Sequence, residues 1–340
     1  MRKAFLIIAL IVFTMCSFGT RSENQTKITI VASNEILAAI AKEIGGVYVK
    51  VDWILPPGAT PHDYSPTPED IEKLKNADLV IFANTSFFSL ESKLKEHAEG
   101  KLIVDYNDYT ANNVTLIEIP NFGINIHAFW LYPDNALAIA KAIKEKLQMI
   151  DSLHADYYSE KLTEFSERIA KLKNDLINIA KKVGLYSSGA VVSVPGAAYV
   201  VLAFGIKVEA TLAGGPQTTL NASLMNDLIR KAKEGKIKAV FCPESLKNTN
   251  IDDATKQFSE DAGIPILYIR IFSIGGIMDY FSLMEYNAGV VETYSSSSTN
   301  ISEERIAILY TALTIIALIA ILEGFVIYKL RKNIEKMFEE

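Results

Sequence analysis

Pro56-Pro57-Gly58-Ala59-Thr60-Pro61-His62-Asp63-Tyr64-Ser65-Pro66-Thr67-Pro68-Glu69-Asp70-Ile71, running on to Asn76-Ala77-Asp78-Leu79-Val80-Ile81-Phe82, decides how the first half of this chain folds. The stretch before it, Val47 to Leu55, reads as a strand; Pro68 to Asn76 reads as a short helix and Leu79 to Ala83 as the next strand. Five prolines and a glycine fix φ along the intervening loop, so His62 is presented in a defined place. The whole chain has four histidines, and a preorganised one needs a reason. Two readings stand: a loop histidine that caps a backbone group, or a ligand.

Outward from this unit the alternation continues. A strand at Lys27 to Ala32 and a helix at Asn34 to Ile44 precede it; a helix at Phe88 to Ala98 and a strand at Lys101 to Asp105 follow. Strands interleaved with amphipathic helices predict a parallel sheet covered on both faces. From Asp134 to Leu147, and from Ala155 to Val183, apolar residues recur at helical spacing, with Leu162, Phe165, Ile169, Leu172, Leu176 and Ile179 forming the stripe of the second run. That run is either a coiled-coil arm or, from its place between two alternating halves, a spine joining them. From Ala190 to Val290 strands and helices alternate again. The fold class expected is α/β: two doubly wound lobes joined by a long spine helix, with a site in the crevice facing the strand C-terminal ends.

The two ends differ from the middle. Met1-Arg2-Lys3, the apolar run Ala4 to Met15 and Ser17-Phe18-Gly19 make a secretory signal, with an uncleaved anchor as the alternative. Cys16 follows Met15, a poor setting for a lipoprotein cysteine. Near the C-terminus Ile306 to Tyr328 is long enough to span a bilayer, and Lys329, Arg331, Lys332 and Lys336 after it predict a cytoplasmic tail. The organisation expected is a signal peptide over 1–19, an N-terminal lobe over 20–133, a helical spine over 134–185, a C-terminal lobe over 186–293, a Ser-rich stalk over 294–305, a transmembrane helix over 306–328 and a tail over 329–340. That places the chain in the cell membrane as a single-pass protein with its globular part extracellular. Once the signal is removed Cys242 is the only cysteine, so no disulfide framework is expected. A formal net charge of −6, with no basic run outside the membrane flanks, gives no sign of nucleic-acid binding.

The His62 loop, Asn125-Ile126-His127-Ala128-Phe129-Trp130-Leu131-Tyr132-Pro133-Asp134-Asn135-Ala136, the run from Asp151 to Leu172, and Asp279-Tyr280-Phe281-Ser282-Leu283-Met284-Glu285-Tyr286-Asn287 together resemble the cluster A-I substrate-binding proteins, which feed zinc or manganese to ABC importers. The resemblance spans essentially the exported chain and implies two α/β lobes with one metal ion between them. It carries two metal ligands over, His62 and His127. The family pattern has one residue fewer between this histidine and the tryptophan, and Asp-Pro where this chain has Asn125-Ile126. The family's other two ligand positions fall at Val194 and in Arg270-Ile271-Phe272-Ser273, which offer no ligating side chain. Glu244 and Asp279 are candidate substitutes, each with the plainer reading of a cap or solvated carboxylate; Cys242 reads as buried packing.

The function expected is a membrane-anchored substrate-binding protein of an ABC importer, a monomer whose partners are the permease and a transported Zn²⁺ or Mn²⁺, with no catalytic cofactor. The alternative is a transport-deficient surface receptor or adhesin that keeps the fold. An enzyme ranks third, because the chain shows no nucleophile elbow, no His-Glu-x-x-His pair and no phosphate-cradling glycine loop.

Overall fold

Strand β1 (Ile28–Ala32) is almost wholly buried and runs into α1 (Glu35–Gly45), whose first turn is capped by Asn34 accepting from Ile36 and Leu37 N–H at 3.1 Å each. Then come β2 (Val49–Trp53), α2 (Pro68–Lys75), β3 (Leu79–Ile81), α3 (Ser89–Glu96) and β4 (Leu102–Val104). The four strands pair in parallel in the order β2-β1-β3-β4. The computed structural model describes residues 27–56, 59, 61, 64–214, 221–272, 279–294, 309–319 and 323–324.

Two elements follow that periodicity does not announce. Helix α4 (Tyr106–Ala111) is held by a capping box on Asp105, and an antiparallel hairpin joins β5 (Ile117–Ile119) to β6 (Gly123–Asn125). Strands of three residues are too short to show an alternation. Helices α5 (Pro133–Ile150) and α6 (Ala155–Lys182) then lead to the second half. It contains β7 (Gly189–Val192), α7 (Ala198–Ala203), β8 (Lys207–Thr211), α8 (Ala222–Lys233), β9 (Ile237–Pro243), α9 (Asn250–Ala262), β10 (Ile266–Ile269) and α10 (Tyr280–Glu292). Its sheet is also parallel, in the order β10-β9-β7-β8. The two halves repeat one topology, in which the first strand lies between the second and the third. Each therefore has a switch point, between β1 and β3 and between β7 and β9, where the loops leaving the strand C-termini diverge and open a crevice.

At 1.5 Å per residue α6 is about 42 Å long. It buries Tyr158, Phe165, Ile169, Leu172, Leu176 and Ala180 on one stripe, packed on α1 and α5 on one side and on α7 and α10 on the other. Phe165 meets Phe281 edge-on at 5.2 Å, and Tyr280 donates to the Leu131 carbonyl at 2.9 Å. One continuous apolar core thus runs through α6 between the halves, as expected of a spine.

The loop between β2 and α2 is tied down at both ends. Ile54 and Leu55 N–H donate to the Ala32 and Ser33 carbonyls at 3.0 Å. At the far end Asp70 accepts from Thr67 N–H at 2.8 Å and from the Tyr64 hydroxyl at 2.7 Å, and Thr67 Oγ1 accepts from Asp70 N–H at 3.2 Å. Burial pushes the Asp70 carboxyl up, but the hydrogen bonds from Thr67 and Tyr64 outweigh it and hold the group below the usual carboxylate range. Thr67→Ala removes half of this capping box and is expected to cost about 1 kcal/mol. Urea unfolding measures it; an unchanged midpoint would show that Tyr64 and Asp70 hold the turn alone.

The expected transmembrane helix is corrected here. Within 306–328 the described residues are 309–319 and 323–324, and they are helical. Among the described residues no helix is long and apolar enough to cross a membrane. The signal segment and all of the stalk but Tyr294 lie outside the described residues.

Candidate functional site

His127 sits just beyond β6, half-buried, with Phe87, Phe122 and Phe88 edge-on to its ring at 5.6, 5.7 and 6.2 Å. Its backbone N–H donates to Asn125 Oδ1 at 2.9 Å, and its Nδ1 lies 3.3 Å from the same oxygen. The next residue, Ala128, has φ 57° and ψ 28°, a left-handed conformation that side chains other than glycine rarely adopt. This turn accommodates the additional residue between His127 and Trp130. Asn135, buried in α5, accepts from Thr115 N–H at 2.8 Å and donates to the Thr115 and Phe129 carbonyls at 2.8 and 3.0 Å. Both flanks of the segment that carries His127 are thereby pinned to one helix.

The hairpin also reaches the second half of the chain. Asn121 and Thr211 exchange two hydrogen bonds, 2.8 and 3.0 Å, so that an amide side chain supplies a rung beside β8. Asn125 Nδ2 donates to the Pro195 carbonyl at 2.9 Å, and the Tyr199 hydroxyl donates to the Asn125 carbonyl at 2.5 Å while accepting from Ile117 N–H at 3.1 Å. A Cβ placed on Gly196 would lie 3.4 Å from Ile271 Cδ1 and 3.8 Å from Ala128 Cβ. The His127 turn, the turn after β7 and the segment after β10 therefore meet at this glycine.

In the second half Val194 and Phe272, both half-buried, follow β7 and β10. Glu244 is already committed: it accepts from Arg270 Nε at 2.8 Å and from the Tyr286 hydroxyl at 3.1 Å, and the Arg270 guanidinium lies 3.9 Å over the Tyr286 ring. The bond from Arg270 holds its carboxyl below the ordinary range. Asp279 caps α10, accepting from Phe281 and Ser282 N–H at 3.0 Å each. Cys242 is buried, and burial pushes its thiol up. Among the described residues no three His, Cys, Asp or Glu side chains stand close enough to hold a metal ion. His62 lies outside the described residues.

Two residues near the site carry roles that spacing does not signal. Asn125 is one. The other is Glu91 of α3, fully buried, whose carboxylate accepts from Ala83 and Asn84 N–H at 2.9 and 2.6 Å and so holds the turn that delivers Phe87 and Phe88 to His127. Burial pushes Glu91 up to about 7 against the pull of these amides. An apolar-polar pattern shows Leu90-Glu91 only as a helix start, because an acidic first turn is the ordinary reading. A cavity of about 860 Å³ lies behind β2 and against α6, lined by Lys50, Trp53, Tyr157, Glu43, Glu164 and Asp279; among the described residues its carboxylates do not form a group of three close enough to hold a metal ion.

The profile of the family described as zinc-uptake complex component A, periplasmic (ZnuA), matches residues 30–294. The chain belongs to this family. It is 29% identical over 302 residues to the manganese ABC transporter substrate-binding lipoprotein PsaA of Streptococcus mitis, covering 83% of this chain and 94% of that protein. A metal ABC transporter substrate-binding lipoprotein of Lactococcus lactis subsp. lactis is 28% identical over 303 residues, with coverage of 83% and 93%. Among solved structures, a zinc-bound deletion mutant of ZnuA superposes with a TM-score of 0.66 at 20% identity, covering 79% of this chain and 98% of that one. The cadmium-bound periplasmic metal-binding protein of Candidatus Liberibacter asiaticus gives 0.64 at 23% identity, covering 79% and 100%. These likenesses establish the α/β fold with its parallel sheets. Members of the ZnuA family are binding components of transporters, not enzymes, and this chain is one of them. The relatives also complete the correction on localisation: they are lipoproteins, which argues against a single-pass C-terminal span. Neither they nor the structure support cell adhesion.

Proposed function

We propose that this chain is the metal receptor of an ABC importer, working as a monomer that hands a divalent first-row ion to a permease, with His62 and His127 as its ligands. The match to the ZnuA family over 30–294 carries the reading. The environment of His127 supports it: a half-buried imidazole, fixed by Asn125 and pinned on both flanks, at the junction of the two halves. Imidazole donors favour zinc over manganese, which prefers oxygen donors. The apolar Val194 and Phe272 leave the far side of such an ion to water or a small anion, so affinity is modest.

Isothermal titration of the purified protein with Zn²⁺ and Mn²⁺ tests this. Saturable Zn²⁺ binding tighter than Mn²⁺ binding is expected; the reverse order would overturn the choice of metal, and no saturable binding of either would favour a receptor that no longer transports. Val194→His with Phe272→Asp supplies the two missing ligands and is expected to tighten Zn²⁺ binding by more than about tenfold, or about 1.4 kcal/mol. A double variant that binds no better than the parent would mean that these positions do not face the histidines.

A further inference from the structure

The Asn125 side chain can be oriented without ambiguity, and its orientation fixes the histidine. A backbone carbonyl only accepts, so the atom 2.9 Å from the Pro195 oxygen is the amide nitrogen. The amide oxygen therefore faces His127, where it already accepts the backbone N–H at 2.9 Å. The imidazole Nδ1 is 3.3 Å from that oxygen, which has no proton to give. In a neutral ring this contact is a hydrogen bond only if Nδ1 carries the hydrogen, and the basic lone pair then resides on Nε2.

Asn125 is itself held from the second half of the chain at two points. Its amide is held by the Pro195 carbonyl, and its own carbonyl by the hydroxyl of Tyr199, a residue of α7 that is wholly buried. Asn125 is completely buried too, so water does not compete for these bonds. We propose that Asn125 is a positioning residue that fixes His127 in the Nδ1–H tautomer, and that it does so only while the turn after β7 is docked, so that contact between the halves sets which imidazole nitrogen can take a metal ion. An asparagine fits this task because it accepts from one partner and donates to the other; an aspartate would face the Pro195 carbonyl with a second acceptor. The tautomer itself does not depend on the metal reading, whereas its consequence for binding rests on the proposed function.

The test is long-range ¹H–¹⁵N correlation on the metal-free full chain at a pH where histidine is neutral, with the His127 signal assigned through His127→Gln. The parent is expected to show a protonated Nδ1 and an unprotonated Nε2. Asn125→Ala is expected to shift His127 toward the Nε2–H tautomer that neutral imidazole favours in water, and Asn125→Asp, which keeps an acceptor, to retain Nδ1–H. Tyr199→Phe, which removes the clamp on the Asn125 carbonyl and the acceptor for Ile117 N–H while leaving the Asn125 amide in place, is expected to give a mixture. An Nε2–H signal in the parent overturns the proposal whatever the variants do, as does an unchanged tautomer in folded Asn125→Ala. If the parent binds Zn²⁺, Asn125→Ala is expected to weaken it about tenfold. A parent with the Nδ1–H tautomer and no metal affinity would leave the positioning role intact and overturn the function proposed above.

Discussion

Zn²⁺ binding to the His62→Ala, His127→Ala double variant is expected to be at least about hundredfold weaker than to the parent, or about 2.7 kcal/mol. The size follows from what remains. No group of three His, Cys, Asp or Glu is close enough to hold metal among the described residues, Glu244 is tied to Arg270, and Asp279 is spent on capping α10. The segments after β7 and β10 carry Val194 and Phe272, neither of which ligates. Two further variants serve as controls. His97 is exposed at the end of α3, and His154 Nδ1 is bonded to Asp151 at 2.6 Å under the stacked Tyr48 ring, so replacing either with Ala leaves Zn²⁺ binding unchanged. Competition with a chromophoric chelator, read on parent and variants side by side, measures the ratios. Equal affinity of parent and double variant would sink the assignment of both histidines, and a loss in His97→Ala would move the site to the other end of α3.

Stability is expected to depend on pH through Glu91, by about 3 kcal/mol between roughly pH 4.5 and 7. The carboxyl has an ordinary value near 4.5 in the unfolded chain and about 7 in the fold, because burial disfavours the charged form more than the Ala83 and Asn84 amides favour it. A folded-state value above the unfolded one means that the native state holds the proton more tightly. The resulting stabilisation is complete below about 4.5 and lost as pH rises through about 7, at roughly 1.4 kcal/mol per tenfold difference in proton affinity. Asp70 and Asp105 act in the opposite sense, since hydrogen bonds hold both below the ordinary range against the upward push of burial, and their contribution is lost at low pH. The difference between the parent and Glu91→Gln therefore isolates Glu91 where the raw profile does not. Urea unfolding across that range is expected to show the parent losing stability relative to the variant as pH rises. Parallel profiles would mean that Glu91 keeps one charge state throughout. Its loss also loosens the turn that carries Phe87 and Phe88 against His127, so this buried carboxyl links the stability of the first half to the shape of the site.

Much of the architecture was legible in the chain. The alternation of apolar runs with amphipathic stretches placed the strands and helices of both sheets within a few residues, because burial imposes a period of two or 3.6 on any element long enough to display it. The stripe through Phe165, Ile169, Leu172 and Leu176 identified α6, and its place between two alternating halves identified it as a spine. The quoted motifs pointed to the family that the profile match then established. The hairpin and α4 were not legible, since elements of three to six residues carry no period. The apolar run over 306–328 reads as a span by hydropathy, but among the described residues no helix is long and apolar enough to cross a membrane, and the relatives are lipoproteins. Tertiary structure alone decided what each candidate side chain is engaged with. Asp279 and Glu244 read alike in the sequence, as candidate ligands or as caps or solvated carboxylates; Asp279 caps a helix, and Glu244 pairs with Arg270, twenty-six residues away. Asn125 read as a departure from a motif; the fold places the Pro195 carbonyl on one side of its amide and His127 on the other. The sequence by itself determined the elements long enough to display a period, because those follow from local periodicity and turn chemistry. How Asn125 is held against His127, and that Glu244 is already satisfied, depend on partners about 25 to 70 residues distant, and only the packed chain brings those together.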